Sequence, residues 1–247
     1  LMQKSKLISV IIPTYNSKKF VKNAIDSVLK QTYRNFEIII VDDCSTDGTI
    51  KYINEKIKSD KIRIFKTKKN SGTVAHPRNI GLKECKGSLV CFLDSDDYWE
   101  KNKLQNQIEC FKNHKTIYFS AAKYFNFYGK KSNFFLNFTR KFLQQFIIKR
   151  VNKFGHHWFY LYNPVIVSSA LFSKEIFTKV SFDENRNSRE DYDLWIRLRK
   201  ANHKFHFINS YDVNICRREH SMSSNLQKEL VTTLNALSNV FFKINNF

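Results

Sequence analysis

Along the first 115 or so residues, short apolar runs alternate with segments whose apolar residues recur every three or four positions. Ile8–Pro13 and Phe36–Val41 are nearly free of polar residues, the pattern of strands buried on both faces. Between them, Ser17–Gln31 sets Phe20, Val21, Ala24, Ile25, Val28 and Leu29 at helical spacing, with Asn16 or Ser17 as the expected N-cap. A polar turn, DDCSTDGT, leads into a helix carrying Ile50, Ile53 and Ile57 on one face. Ile62–Phe65 reads as a third strand, Val74–Cys85 as a helix and Leu89–Leu93 as a fourth strand. A helix through Leu104, Ile108 and Phe111 and a strand near Thr116–Ser120 complete this stretch. The alternation predicts βαβ units: an α/β fold with a mainly parallel central sheet and helices on both faces. In such sheets ligands collect beyond the C-terminal ends of the strands, where this chain carries its polar motifs.

From Lys115 to Lys174 the pattern changes, because no Asp or Glu occurs while Lys, Arg, Phe and Tyr crowd together. Within it, Phe138, Phe142 and Phe146 recur every four residues beside Leu143 and Ile147, which predicts a helix with one apolar stripe. Then come a short strand at Pro164–Ser168, a helix from about Ser173 and the acidic segment SREDYDLWIRLRKA. Two short strands, Phe205–Ile208 and Tyr211–Arg217, and a C-terminal helix from about Leu226 are expected to close the chain. The organisation expected is one catalytic domain over residues 1–222, with a helical insertion at about 123–160 and a tail at 223–247.

Composition narrows the class. With 247 residues, 42% hydrophobic and 26% charged, the chain has the make-up of a folded globular protein, and wholesale disorder is excluded. No apolar run reaches the roughly 20 residues of a membrane span. The N-terminal stretch is too short in apolar residues for a secretion signal. Five cysteines without a CxxC pair predict reduced thiols and a cytoplasmic location. A net charge of +20 with 15% aromatic residues points to an anionic partner: nucleotide, nucleic acid or membrane surface.

Three polar clusters carry candidate chemistry. Asp94-Ser95-Asp96-Asp97 directly follows the apolar run SLVCFL. Such a group repels itself unless a cation sits among the carboxylates, and hard oxygens suit Mg²⁺ or Mn²⁺; a solvated turn capping the next helix is the alternative. Asp42-Asp43 follows the second apolar run, where a carboxylate could accept from a base or ribose, or the DDCSTDGT segment could simply form a turn. Arg78, in NSGTVAHPRN, could fork onto phosphate or brace the carboxylates. Glu190-Asp191 opens a predicted helix; acids there suit the helix dipole, and one of them could serve as a general base. Late in the chain, His220 in RREH is a surface imidazole or a further metal or phosphate contact.

Taken in order, SVIIPTYN, EIIIVDDCSTDGT, GTVAHPRN, CFLDSDDYW, FDENRNSREDYDLWIRL and RREHSMSS resemble the family-2 inverting nucleotide-sugar glycosyltransferases of the GT-A fold that build bacterial surface glycans. The resemblance covers residues 7–120 strongly and 163–224 moderately. It implies a Rossmann-like GT-A sheet and a UDP-sugar donor. Pro13, Thr14, Tyr15 and Asp43 would then line the base and ribose pocket, with Arg78 near the diphosphate. Asp94 and Ser95 would meet the ribose side, Asp96 and His220 a Mn²⁺ or Mg²⁺ ion, and Asp191, beside Glu190, would be the catalytic base. Two departures stand out: Cys44 occupies a position where Gly is common, and His76-Pro77 replaces small residues before Arg78.

The implied reaction is a single displacement that inverts the anomeric carbon, with a lipid-linked, lipopolysaccharide or capsule glycan as acceptor. A sugar-1-phosphate nucleotidyltransferase would need a glycine-rich loop after the first strand, and PTYNSKK has no glycine. A nucleic-acid-binding module fits the charge, yet the acidic clusters would repel a phosphate backbone, so no nucleic acid is expected as a partner. The aromatic stripe, with Arg140, Lys141, Lys149 and Arg150, is either packed on the catalytic domain or an interfacial helix on anionic lipid, giving peripheral attachment to the inner face of the cytoplasmic membrane.

Overall fold

Strand β1 (Ile8–Thr14) and strand β2 (Phe36–Asp42) are buried along their whole length, and they run parallel with Ile8 opposite Phe36. The computed structural model describes residues 6–125, 134–186 and 189–216. Their apolar content follows from position: helices cover both faces, so no residue of either strand meets solvent. On one face lie α1 (Val21–Leu29), α2 (Thr49–Lys56) and α4 (Lys103–Cys110), packing on Ile8, Val10, Ile38, Ile40 and Cys91. On the other lie α3 (Ala75–Glu84), α5 (Phe134–Phe154) and α6 (Glu190–Lys200), packing on Ile11, Ile39, Val90 and Phe92. Helix α3 comes so near the sheet that a Cβ on Gly81 would sit 2.4 Å from the Ile11 side chain, which is why a glycine stands there.

Six further strands complete the sheet: β3 (Ile62–Lys66), β4 (Leu89–Phe92), β5 (Tyr98–Trp99), β6 (Thr116–Phe125), β7 (Ala170–Ser173) and β8 (Lys204–Cys216). The order across the sheet is β3-β2-β1-β4-β7-β6-β8-β5. The β3-β2-β1-β4 side is parallel throughout, as the alternating pattern predicts. Beyond β4 the sheet is mixed: β7 is antiparallel to β4 and β6, β8 is parallel to β6, and β5 is antiparallel to β8.

Several expected elements are corrected here. The cap expected from Asn16 or Ser17 is absent; α1 begins at Val21, and the Ser17 hydroxyl instead donates to the Tyr15 carbonyl and pairs with Ser95. The strand expected at Pro164–Ser168 lies at Ala170–Ser173, preceded by a short 3₁₀ turn at Val167–Ser169. The helix expected from Ser173 is a 3₁₀ turn, Lys174–Thr178. The two late strands are one, β8, and the Asn209-Ser210 pair that suggested a break falls at a slip in its register with β6. Strand β6 runs five residues past the expected Ser120, to Phe125.

The aromatic stripe also divides. Leu143, Ile147, Ile148 and Val151 are buried in the core, whereas Phe138 and Phe142 are exposed and Arg140 is buried. Helix α5 is therefore apolar on two faces. The predicted C-terminal helix, residues 126–133 of the insertion and His220 lie outside the described residues.

Candidate functional site

The C-terminal ends of β1, β2 and β4 converge, and each is followed by a polar loop. After β1, the Asn16 side chain accepts from the Thr46 backbone N–H at 2.8 Å, which ties this loop to the one after β2. Thr14 is buried and its hydroxyl donates to Asp42 at 3.2 Å, while Tyr15 beside it is exposed. Asp43 is buried too, and it accepts from the Thr67 and Ser71 hydroxyls at 2.9 and 2.8 Å. Cys44 sits at φ 60, the left-handed region that favours glycine, so the departure at this position places a side chain on strained backbone. His76 and Pro77 fall in the first turn of α3, where a missing N–H costs little, and the His76 ring meets Glu184 at 2.8 Å.

The acidic turn after β4 is held at several points. Ser168 Oγ accepts from the Asp94 backbone N–H at 3.2 Å and donates to Asp97 at 2.8 Å. Ser95 pairs with Ser17 at 2.7 Å. Asp97 is buried and also accepts from the Cys216 N–H, so it joins the turn to the end of β8. Burial first, then the charges of Asp96 and Asp94, push the Asp97 carboxyl well above the ordinary carboxylate range.

Arg78 ties this turn to the other half of the molecule. It is 2% exposed, stacks over Phe182, and splits its guanidinium between two acids: Nη2 to Asp94 at 2.6 Å and Nη1 to Glu190 at 2.7 Å. Burial opposes its charge, but Asp94 and Glu190 outweigh that and hold it protonated. The fork braces carboxylates, one of the two roles the sequence leaves open.

Glu190 and Asp191 open α6, which is anchored by fully buried Leu194, Trp195 and Leu198; the Trp195 indole donates to the Val165 carbonyl at 3.0 Å. The residue before the helix, Arg189, has φ 58. Among the described residues, three of the four non-glycine positive-φ positions, Asn16, Cys44 and Arg189, flank this site, the kind of local strain that collects where function needs a fixed geometry. Asp191 is pushed up to about 6, first by burial and then by the charge on Glu190, with Arg78 opposing. Asn163 reaches its carboxylate at 3.5 Å.

A divalent cation fits the chemistry of the acidic turn. Among the described residues no cluster of three or more His, Cys, Asp or Glu is arranged to hold a metal by itself. Asp94 and Asp96 nevertheless offer hard oxygens, and Mg²⁺ is commonly bound by one or two carboxylates plus substrate phosphates. After burial, the charges of Asp96 and Asp94 contribute to raising Asp97, and those charges are what such an ion would offset.

Sequence reasoning missed Ser168, Ser17 and Asn163. The signal for Ser168 is a buried serine pair interrupting the apolar stretch PVIVSSALF; Asn163 carries none.

The family profile of glycosyl transferase family 2 matches residues 9–171. The UDP-Glc:alpha-D-GlcNAc-diphosphoundecaprenol beta-1,3-glucosyltransferase WfaP of Escherichia coli is 33% identical over 238 residues, 96% of this chain and 88% of that protein. The putative teichuronic acid biosynthesis glycosyltransferase TuaG of Bacillus subtilis is 43% identical over 119 residues, 48% of this chain and 46% of that protein. Among solved structures, Staphylococcus aureus TarS in complex with UDP-GlcNAc superposes with a TM-score of 0.67 at 24% identity, covering 88% of this chain and 61% of that one. That likeness is one of fold, the GT-A fold. The nucleotidyltransferase and nucleic-acid-module alternatives give way to a sugar-transfer enzyme: the chain belongs to glycosyl transferase family 2.

Proposed function

We propose that this glycosyltransferase moves a sugar from a UDP-sugar to a hydroxyl of a lipid-linked glycan, by single displacement with inversion at the anomeric carbon. The observation that carries this reading is the Arg78 bridge, which joins Asp94 of the acidic turn to Glu190, the neighbour of Asp191. A donor-side acid and the neighbour of the candidate base are thereby held by one buried cation. Two relatives lend support: WfaP is named for UDP-Glc and a diphosphoundecaprenol acceptor, and TarS has been crystallised with UDP-GlcNAc.

In this reading Asp191 takes the proton of the attacking hydroxyl. Its carboxyl at about 6 makes it a stronger base than an ordinary aspartate while it stays ionised at neutral pH. Glu190 orients Arg78, and Arg78 steadies Asp94 beside the diphosphate. Pro13, Thr14, Tyr15 and Asp43 line the nucleoside pocket, and Asp94 and Ser95 face the ribose. Asp96 would hold a Mn²⁺ or Mg²⁺ ion, with His220 contributing from outside the described residues, and that ion would offset the charge of the departing diphosphate. Because the acceptor is membrane-bound, the protein works peripherally on the inner face of the cytoplasmic membrane.

The test is release of UDP from UDP-Glc, UDP-Gal and UDP-GlcNAc in the presence of an undecaprenyl-diphosphate-linked GlcNAc acceptor, with Mn²⁺ or with chelator. Metal-dependent release with an inverted product supports the proposal. A product of retained configuration, or no release from any UDP-sugar, overturns it.

A further inference from the structure

Helix α5 presents two apolar faces, and among the described residues one of them is packed on the catalytic core. Its inner face is fastened to the catalytic core: Leu143, Ile147 and Val151 are fully buried, and Gln144 donates to the Pro164 carbonyl at 2.8 Å. Asn152 exchanges hydrogen bonds with the Phe205 backbone, and Arg199 of α6 donates to the Val151 carbonyl. The opposite face carries Phe138 and Phe142, exposed to 57% and 51%; Phe154, exposed to 51%, stands at the C-terminal end of the helix, about 160° round from Phe138. These are three of the four exposed large hydrophobic side chains among the described residues.

The exposed rings form part of a ladder. Phe142 stacks on Phe146, Phe146 meets Trp158 edge-on, and Phe154 packs beside Trp158. Arg150 lies over the rings of Phe146, Phe154 and Trp158. Exposed Lys149 and Lys153 fall on the same arc as Phe138 and Phe142, within roughly a sixth of a turn of the helix. No acidic residue occurs anywhere from Lys115 to Lys174. An apolar surface whose flanking charges on α5 are all cations matches an anionic bilayer, with the rings at the headgroup boundary and the cations on lipid phosphates.

We infer that the face of α5 bearing Phe138, Phe142, Lys149 and Lys153, continued by the ring ladder to Trp158 at the end of the helix, is the surface by which this protein docks on anionic lipid. The inference rests on the reading above that the acceptor is membrane-bound, and it names the surface that reading leaves unspecified. It also revises which cations take part, since Arg140 is buried and cannot reach a headgroup, whereas Lys149 and Lys153 can.

Of the three tryptophans, Trp99 and Trp195 are buried, so Trp158 alone can report insertion. The full chain is mixed with vesicles of phosphatidylcholine containing about one-third phosphatidylglycerol, with or without bromine on the acyl chains. Expected are co-sedimentation at low salt and quenching of Trp158 by the brominated lipid. The double variant Phe138→Ser, Phe142→Ser should lose at least about tenfold in vesicle affinity, and Lys149→Gln with Lys153→Gln should remove most of the salt dependence. Both changes are on the surface, so UDP binding in solution should be unaltered. Wild-type protein that binds UDP but neither sediments nor is quenched overturns the docking surface and leaves the transfer reading standing. Vesicle binding without UDP binding does the reverse. A dimer that the Phe138→Ser, Phe142→Ser variant dissolves, without quenching in the wild type, assigns the face to a second copy and overturns the inference.

Discussion

On the proposed donor side, residues 8–92, strands and helices alternate along the chain, and every pairing among its strands is parallel. On the acceptor side, strands find partners far away in sequence: β4 pairs with β7, and β6 with β8 across the whole of α5 and α6. The first region is specified locally, by the alternation of buried strand and amphipathic helix. The second is specified by contacts between distant segments, and its functional groups hang on single side chains such as Ser168 and Asn163. Arg78, through Asp94 and Glu190, binds both regions with charge, beside the outlying contact of His76 with Glu184. The regions can therefore be broken separately at their own residues, or together at Arg78.

The largest effect is expected from Asp191→Asn, which touches only the acceptor side. Loss of a general base should lower sugar transfer by about 10²–10⁴-fold. UDP affinity, measured calorimetrically, should stay within error of the wild type. A parallel loss of UDP affinity would show that the acceptor side is not separable, and near-normal transfer would move the base elsewhere.

Arg78→Met breaks the link itself. Removing one partner of a buried ion pair leaves the other uncompensated, at a cost of about 3–5 kcal/mol. Here Glu190 is buried and Asp94 partly so, which places the expected loss near the lower end of that range. Chemical denaturation should show a lower midpoint, and both UDP binding and transfer should fall. Arg78→Lys keeps a charge but not the fork, so it should lie between the wild type and Arg78→Met. Equal stability of all three would mean the bridge does not hold the two regions.

A smaller effect is expected at Ser168. Its hydroxyl is fully buried and satisfies both the Asp94 N–H and Asp97. Ser168→Ala leaves those groups without it, at about 1–3 kcal/mol. The substitution lies on the acceptor-side chain, yet the turn it holds is on the donor side, so UDP affinity should drop more than the turnover of bound donor. A change in turnover alone would place Ser168 with α6 rather than with the acidic turn.

These residues also mark how far the sequence could be read. β1, β2, β4, α3 and the acidic turn were legible because an uninterrupted apolar run followed by carboxylates has few other meanings. Glu190-Asp191 was legible as an acidic helix start, but not its partnership with Arg78, which spans 112 positions. β7 was displaced and β8 split in two because their pairing is set by distant strands, and an Asn-Ser pair within β8 mimics a turn. Helix α5 was legible as a helix. Its two apolar faces were merged into one stripe, because residues four apart drift around the helix and only packing reveals where one face ends. Arg140 reads as a surface cation on the same ground, since nothing in its sequence neighbours marks it as buried.

The smallest effect expected is a pH dependence that separates chemistry from stability at one residue. Asp191 titrates at about 6 in the folded protein and near 4 when unfolded. As the proposed base, Asp191 acts in its ionised form, so the rate of transfer should fall about tenfold per unit as pH drops below about 6. Stability runs the other way. The folded state binds this proton more tightly, so folding gains from Asp191 as pH falls from about 6 towards about 4, and at neutral pH the ionised carboxylate destabilises. Asp191→Asn should therefore stabilise the protein at pH 7 by about 1 kcal/mol, less than full burial would give because the group is partly open to solvent. The gain should vanish near pH 4, where the wild-type carboxyl is neutral in both states. Denaturation midpoints of the two proteins across this range, beside the pH profile of transfer, check both signs. A variant that is less stable at pH 7 would mean that Asp191 holds the acceptor side together, and the base would have to be sought among residues whose removal costs activity alone.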